Sequence, residues 1–288
     1  LDQQIARYGI DFRNPLNETP LMVAARLGRA ALVKDLLAQG ADPELADSAG
    51  RNPLRVLLSS LFLGHKGKAG AFEEAWQALA TQPLKVKIGS RMLKLDPRSM
   101  EWFLLHAWLV LYRGLAAMAL PRHTLPAIKA SALSHQLGRL PERILPARRK
   151  QRAYVSSVLV KNESSANTPY NRRLFLRVDH AYYILNPVME IEVSGRFVPL
   201  GEVMAMPLLI ADIPPSADRD YFENWLSRMR SAAARRSCAM RLSAIACSIT
   251  RSDTLRSSRN SAVARSASAF DALAVARSAR ISADSVAW

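Results

Sequence analysis

Residues Asn17–Asp42, NETPLMVAARLGRAALVKDLLAQGAD, decide the fold of the first part of this chain. Pro20 suits the first turn of a helix, where its missing N–H has no intrahelical partner to lose, and Thr19 is placed to cap that end. Ala24 and Ala25 are small enough for a short helix to lie close to a neighbour. Gly28 stands where the chain must turn with positive φ. Leu32, Val33, Leu36 and Leu37 then give a second helix one apolar stripe, which Gly40 closes. The phrase Thr19-Pro20-Leu21 returns further along as Asn52-Pro53-Leu54.

That spacing, a period of about 33 residues, combined with paired alanines, a turn glycine and a terminal Gly-Ala-Asp, resembles the ankyrin repeat. One such unit cannot bury both of its faces, so neighbours are expected. Upstream, Gly9-Ile10-Asp11 reads as the end of a preceding unit, with a linker to Pro20 slightly shorter than that from Asp42 to Pro53. The pattern is already under way at Leu1, and further repeats are expected before it. Downstream, Val56-Leu57 replaces the alanines and Leu61 the turn glycine, so a larger helix over Arg55–Leu63 is expected to cap the stack. The resemblance implies a non-catalytic protein-interaction scaffold. Its partner-binding positions would be Met22, Val23 and Arg26 on the first helix and Asp47, Ser48 and Arg51 in the hairpin tip. Met22 and Arg55 both stand where the family usually has histidine, which changes the local hydrogen bonding.

The expected fold class is α+β, mainly α: ankyrin repeats over 1–70, an α+β domain over 71–230 and an Ala/Ser/Arg-rich tail over 231–288, disordered or out of frame. A length of 288 residues accommodates two modest domains, and 49% hydrophobic with 22% charged residues is ordinary for a soluble protein. Phe72–Ala80 reads as a short helix and Leu84–Leu95 as two strands around Gly89-Ser90. Ser99 is placed to cap a helix running to about Met118, whose almost all-round apolar surface requires deep packing. A helix over Ala127–Leu137 follows, then a basic helix from Arg148 to about Asn162, then strands Leu174–Val178 and Tyr182–Leu185. Glu190–Val193 and Phe197–Leu200 form a further hairpin around Ser194-Gly195, its two glutamates sharing one face. Paired carboxylates can do acid–base chemistry, but on an alternating strand they belong to the solvent side. Phe222, Trp225, Leu226 and Met229 place an amphipathic helix over Tyr221–Met229.

Three helices with a basic third, followed by a β-ribbon, resemble the small winged helix-turn-helix domains of bacterial regulatory and restriction-associated proteins over about residues 100–187. That resemblance implies Arg148, Arg149, Lys150, Arg152 and Lys161 on or near a recognition helix, and Arg172 and Arg173 at the base of the wing. The wing turn lacks the glycine commonly found there. Such residues neutralise phosphates, so DNA or RNA is the alternative partner, met through residues 148–177. Charge agrees with this placement. Of the net +16, residues 113–180 contribute 13 Lys and Arg against 3 Asp and Glu, whereas residues 1–112 contribute 14 against 11.

No glycine-rich phosphate loop, nucleophile elbow or metal-ligand spacing is present. The five histidines, His65, His106, His123, His135 and His180, are scattered, so no cofactor and no metal are expected. Cys238 and Cys247 both fall in the tail, which leaves the rest without thiols and suits a cytoplasmic setting. The most apolar stretch, Trp102–Tyr112, is too short for a membrane span, which needs about 20 residues. From Ser231 onward Lys, Glu, Gln, Gly and Pro are absent. Arg, Ala and Ser without Lys is what a GC-rich coding sequence yields out of frame, and we expect the native chain to end or change frame near Ser231.

Overall fold

The computed structural model describes residues 1–64, 69–119, 127–168 and 170–206, together with the helical residues 223, 224 and 227. Apart from those three, the amphipathic helix expected over Tyr221–Met229 lies outside the described residues, as does the tail from Ser231.

The chain begins with helix α1 (Asp2–Tyr8), followed by the pair α2 (Pro20–Arg26) and α3 (Ala30–Ala38), and by the pair α4 (Pro53–Phe62) and α5 (Ala69–Leu79). Thr19 and Asn52, one period apart, do the same work. Thr19 Oγ1 accepts from the Met22 N–H at 3.3 Å and Asn52 Oδ1 from the Arg55 N–H at 3.1 Å, each satisfying an N–H that the helix leaves open. Gly28 and Gly40 take the positive φ expected of them, 64° and 93°. Successive hairpins are tied across the period. The Asp42 N–H donates to the Asp11 carboxylate at 3.2 Å, and Arg13 donates to the Ala46 carbonyl at 2.9 Å. Without a glycine at residue 61, α4 runs on until Gly64, at φ 83°, turns the chain. Helix α5 then packs on α3 as α4 packs on α2, which extends the stack beyond the single capping helix expected.

Strands β1 (Leu84–Ile88) and β2 (Arg91–Leu95) form the anticipated hairpin, with Gly89 at φ 61° in its turn. The Ser99 hydroxyl accepts from the Trp102 N–H at 3.3 Å and starts α6 (Met100–Ala119). Every residue from Trp102 to Leu109 is buried, as an all-round apolar helix requires. Two readings are corrected after it. The helix expected over Ala127–Leu137 is preceded by a short strand, β3 (Ile128–Lys129), and only then becomes α7 (Ala130–Gly138), because Ile128 and Lys129 pair with Tyr183 and Tyr182. The single basic helix is broken at Gln151, whose ψ of 139° is extended, into α8 (Ala147–Lys150) and α9 (Arg152–Lys161). The break is held by tertiary bonds on its near side: the Ser134 hydroxyl donates to the Lys150 carbonyl at 2.6 Å, and the Lys150 ammonium donates to the Leu140 carbonyl.

Strands β4 (Phe175–Asp179) and β5 (Tyr182–Leu185) follow, with Ala181 at φ 60° in the glycine-free turn. A three-stranded sheet results, in the order β3-β5-β4. The last hairpin, β6 (Met189–Val193) and β7 (Arg196–Pro199), does not stand alone. It joins the first in a four-stranded antiparallel sheet, β2-β1-β6-β7, with Lys87 opposite Glu190, and the short helix α10 (Leu200–Val203) follows. Buried apolar side chains from Leu21 to Met206 form one continuous core. Among the described residues no helix is long and apolar enough to cross a membrane.

Candidate functional site

The first helix of the repeat, α2, buries Leu21, Met22, Ala24 and Ala25 and turns Val23, Arg26 and the adjoining Leu27 toward solvent. The expectation that Met22 lies on the outward side is therefore corrected. Met22 is 0% exposed, and its Sδ accepts from the Thr19 N–H at 3.4 Å, closing a capping box with a thioether in the place of a ring nitrogen. Arg26 is held by Glu18, with Nε 3.2 Å from the carboxylate. Leu27, which sequence reasoning passed over, is 53% exposed. Its position directly before the turn glycine was the available signal.

The hairpin tip is more occupied than its ankyrin-like pattern suggests. Asp47 is buried, and one of its oxygens accepts from the N–H groups of Ala49 and Arg51 at 2.8 Å each. The other carboxylate oxygen pairs with the Arg51 guanidinium at 2.7 Å, and Arg51 reaches on to the Ser59 hydroxyl at 3.3 Å. Asp47 and Arg51 thus build the turn, and Ser48 is the exposed member of the predicted trio. The turn also rests on α10: a Cβ on Gly50 would stand 2.1 Å from the Val203 carbonyl oxygen.

The basic segment divides in the same way. Arg148, Arg152, Lys161 and Arg173 are exposed. Arg149 donates to the Arg98 carbonyl at 3.0 Å, Lys150 is bonded to Leu140, and Arg172 lies 3.5 Å from the Glu101 carboxylate. The glutamates of β6 are not merely solvent-facing, since cross-strand lysines take both of them: Lys87 meets Glu190 at 3.1 Å and Lys85 meets Glu192 at 2.7 Å.

Sequence reasoning did not bring together Arg55, Trp102 and His106. Arg55 stands one repeat period after Met22 and inherits its buried environment, which was the legible hint. All three line one cavity of about 250 Å³ between the start of α4, the start of α6 and the β6–β7 turn. Burial lowers the Arg55 pKa to about 10 despite the opposing charges of Glu44 and Asp47, and it drives His106 well below its usual value, with Arg55 adding to the effect. His106 is therefore neutral at pH 7. Glu44 is raised above the ordinary carboxylate range, chiefly by burial. Among the described residues no cluster of His, Cys, Asp and Glu has the arrangement of a metal site.

No curated protein and no solved structure matches the chain. Residues 16–48 match the family model of the ankyrin repeat, the same residues that form the capped α2–α3 pair and its hairpin, so this segment of the chain is an ankyrin repeat.

Proposed function

We propose that the chain is a non-catalytic protein-interaction scaffold whose partner is held by its ankyrin repeat. The observation that supports this most directly is the solvent side of α2. Val23, Arg26 and Leu27 follow one another at helical spacing on a helix whose other face is buried, and Leu27 leaves half its surface in water. An apolar group rimmed by polar ones on a rigid helix is suited to a protein surface. In a nuclease-treated host lysate the full chain should retain a specific protein, and the variant carrying Arg26→Ala and Leu27→Asp should retain at least about tenfold less. Recovery of the same protein by parent and variant alike would sink the reading.

A second reading, a nucleic-acid-binding regulator, is favoured by one particular of topology. The order α6, β3, α7, α8, α9, β4, β5, with β3 hydrogen-bonded to β5, is similar to that of a winged helix with one added helical turn, α8, and exposed Arg148, Arg152, Lys161 and Arg173 belong to this segment. Of the residues expected to meet phosphates, Arg148 and Arg152 are the ones to test, because Arg149, Lys150 and Arg172 already have protein partners. Replacing both with Glu should abolish duplex DNA binding. Replacing both with Ala should reduce the salt slope of log K by about two, roughly 0.9 for each phosphate no longer neutralised. Fluorescence anisotropy at several salt concentrations measures both. A slope unchanged in the alanine pair removes this reading.

A further inference from the structure

The segment between α9 and β4 carries an aromatic ring on a turn. Asn171 donates its N–H to the Thr168 carbonyl at 3.2 Å, and Tyr170, just inside that bond, has φ 60° and is 86% exposed. A bulky residue in the left-handed region is strained, and turns give such a place to glycine or asparagine. Strain at a side chain that adds nothing to the core points to a use outside the fold. The backbone on the far side of the ring is firmly held. The buried Asn171 amide donates to the Glu163 and Ala166 carbonyls at 2.7 and 2.6 Å, and its Oδ1 accepts from the Arg173 N–H at 2.7 Å. The Arg91 guanidinium, from the β1–β2 hairpin, donates to the Asn171 carbonyl at 2.7 Å.

Three exposed cations are tied to this turn. Arg91 is bonded to the residue after Tyr170, Arg173 follows in the chain, and the Lys161 carbonyl accepts from the Thr168 hydroxyl at 3.0 Å. Among the described residues no carboxylate pairs with any of the three. The acids nearby are engaged elsewhere: Glu101 faces Arg172 at 3.5 Å, and Glu163 accepts from the Ser165 N–H and hydroxyl at 3.2 and 2.6 Å. An open aromatic face beside cations without acidic partners suits a ligand that carries planar rings on a negatively charged backbone.

We propose that this turn binds single-stranded nucleic acid, with an unpaired base stacked on the Tyr170 ring and the adjoining phosphates met by Arg91, Lys161 and Arg173. A duplex covers the faces of its bases, so a ring fixed on a turn reaches one only where the strand is unpaired. Every base has such a face, and the contact therefore discriminates little between sequences. This goes beyond the duplex reading above and does not rest on it, since it uses neither Arg148 nor Arg152.

Fluorescence anisotropy of the full chain with labelled oligothymidylate, with its ribo-uridylate counterpart and with a blunt duplex tests the proposal. Tyr170→Gly should weaken single-strand binding by about tenfold and leave duplex binding within about twofold, while Tyr170→Phe, which keeps the ring, should bind as the parent does. Glycine relieves the strain at this φ, so the variant should unfold at or above the parent Tm and its loss of binding is not a loss of fold. Should it unfold earlier, Tyr170→Asn, also tolerant of positive φ, takes its place. Cations elsewhere in the chain give a background common to parent and variants. Binding of the deoxy or the ribo strand alone supports the proposal and identifies the sugar. Absence of binding to both strands, single-strand affinity unmoved by Tyr170→Gly, a loss shared equally by the duplex, or Tyr170→Phe as weak as Tyr170→Gly would each overturn it.

Discussion

Replacing Gly50 with alanine should lower the unfolding free energy by roughly 3 kcal/mol or more, far beyond what a surface turn normally costs. Two effects add. Gly50 has φ 73°, which is strained for a residue with a Cβ, and that Cβ would fall 2.1 Å from the Val203 carbonyl oxygen and 3.3 Å from the Ala205 nitrogen. Both neighbours are backbone atoms, so relief requires α10 to move away from the hairpin. Gly28→Ala supplies the comparison, because Gly28 also has positive φ but nothing within 4 Å of its virtual Cβ. That variant should lose only about 1–2 kcal/mol. Denaturant unfolding followed by circular dichroism measures both. If the two losses are equal, the ankyrin hairpin does not rest on α10.

The second large effect is expected at Trp108, between α6 and the three-stranded sheet. Its ring is 0% exposed and stacks on Phe175 with centroids 5.4 Å apart. Trp108→Ala should cost about 3–5 kcal/mol through lost burial and the cavity left behind. Trp108→Phe should cost much less, because the Trp108 Nε1–H is buried without a partner and its removal relieves an unmet donor while an aromatic ring stays on Phe175. The same unfolding measurement distinguishes them. Similar losses for the alanine and phenylalanine variants would mean that the indole N–H, not the stack, matters at this position.

Local chemistry was legible wherever the determining interactions lie close together in the chain. The Thr19 and Asn52 caps, the positive-φ glycines, the Gly89 turn and the Ser99 cap all rest on neighbours within a few residues, and all stand where the sequence puts them. Misreadings occurred where a distant partner overrode local preference. Ile128 and Lys129 have helical neighbours but are drawn into a strand by Tyr182 and Tyr183, and the basic helix breaks at Gln151 against Ser134 and Leu140. Met22 was assigned outward by analogy with the repeat, yet a thioether is more easily buried than an imidazole and it caps its own helix from inside. Arg55, Trp102 and His106 gave no joint signal, since a helix and a whole β-hairpin separate the first from the second and nothing in composition links them.

By itself, then, the sequence determined the ankyrin repeat, its period, its caps and the location of the basic excess, because these follow from residue types at short spacings. Only the tertiary structure decided which of those residues remain available. It closed Asp47 and Arg51 into the turn, tied Arg149, Lys150 and Arg172 to the protein, and left Leu27, Arg148 and Arg152 facing solvent. It also paired β1 with β6 from opposite ends of the α+β part and so set the β6–β7 turn beside the cavity of Arg55, Trp102 and His106. Which distant strands become neighbours is decided by the packing of one common core, in which each layer must bury its apolar face against another.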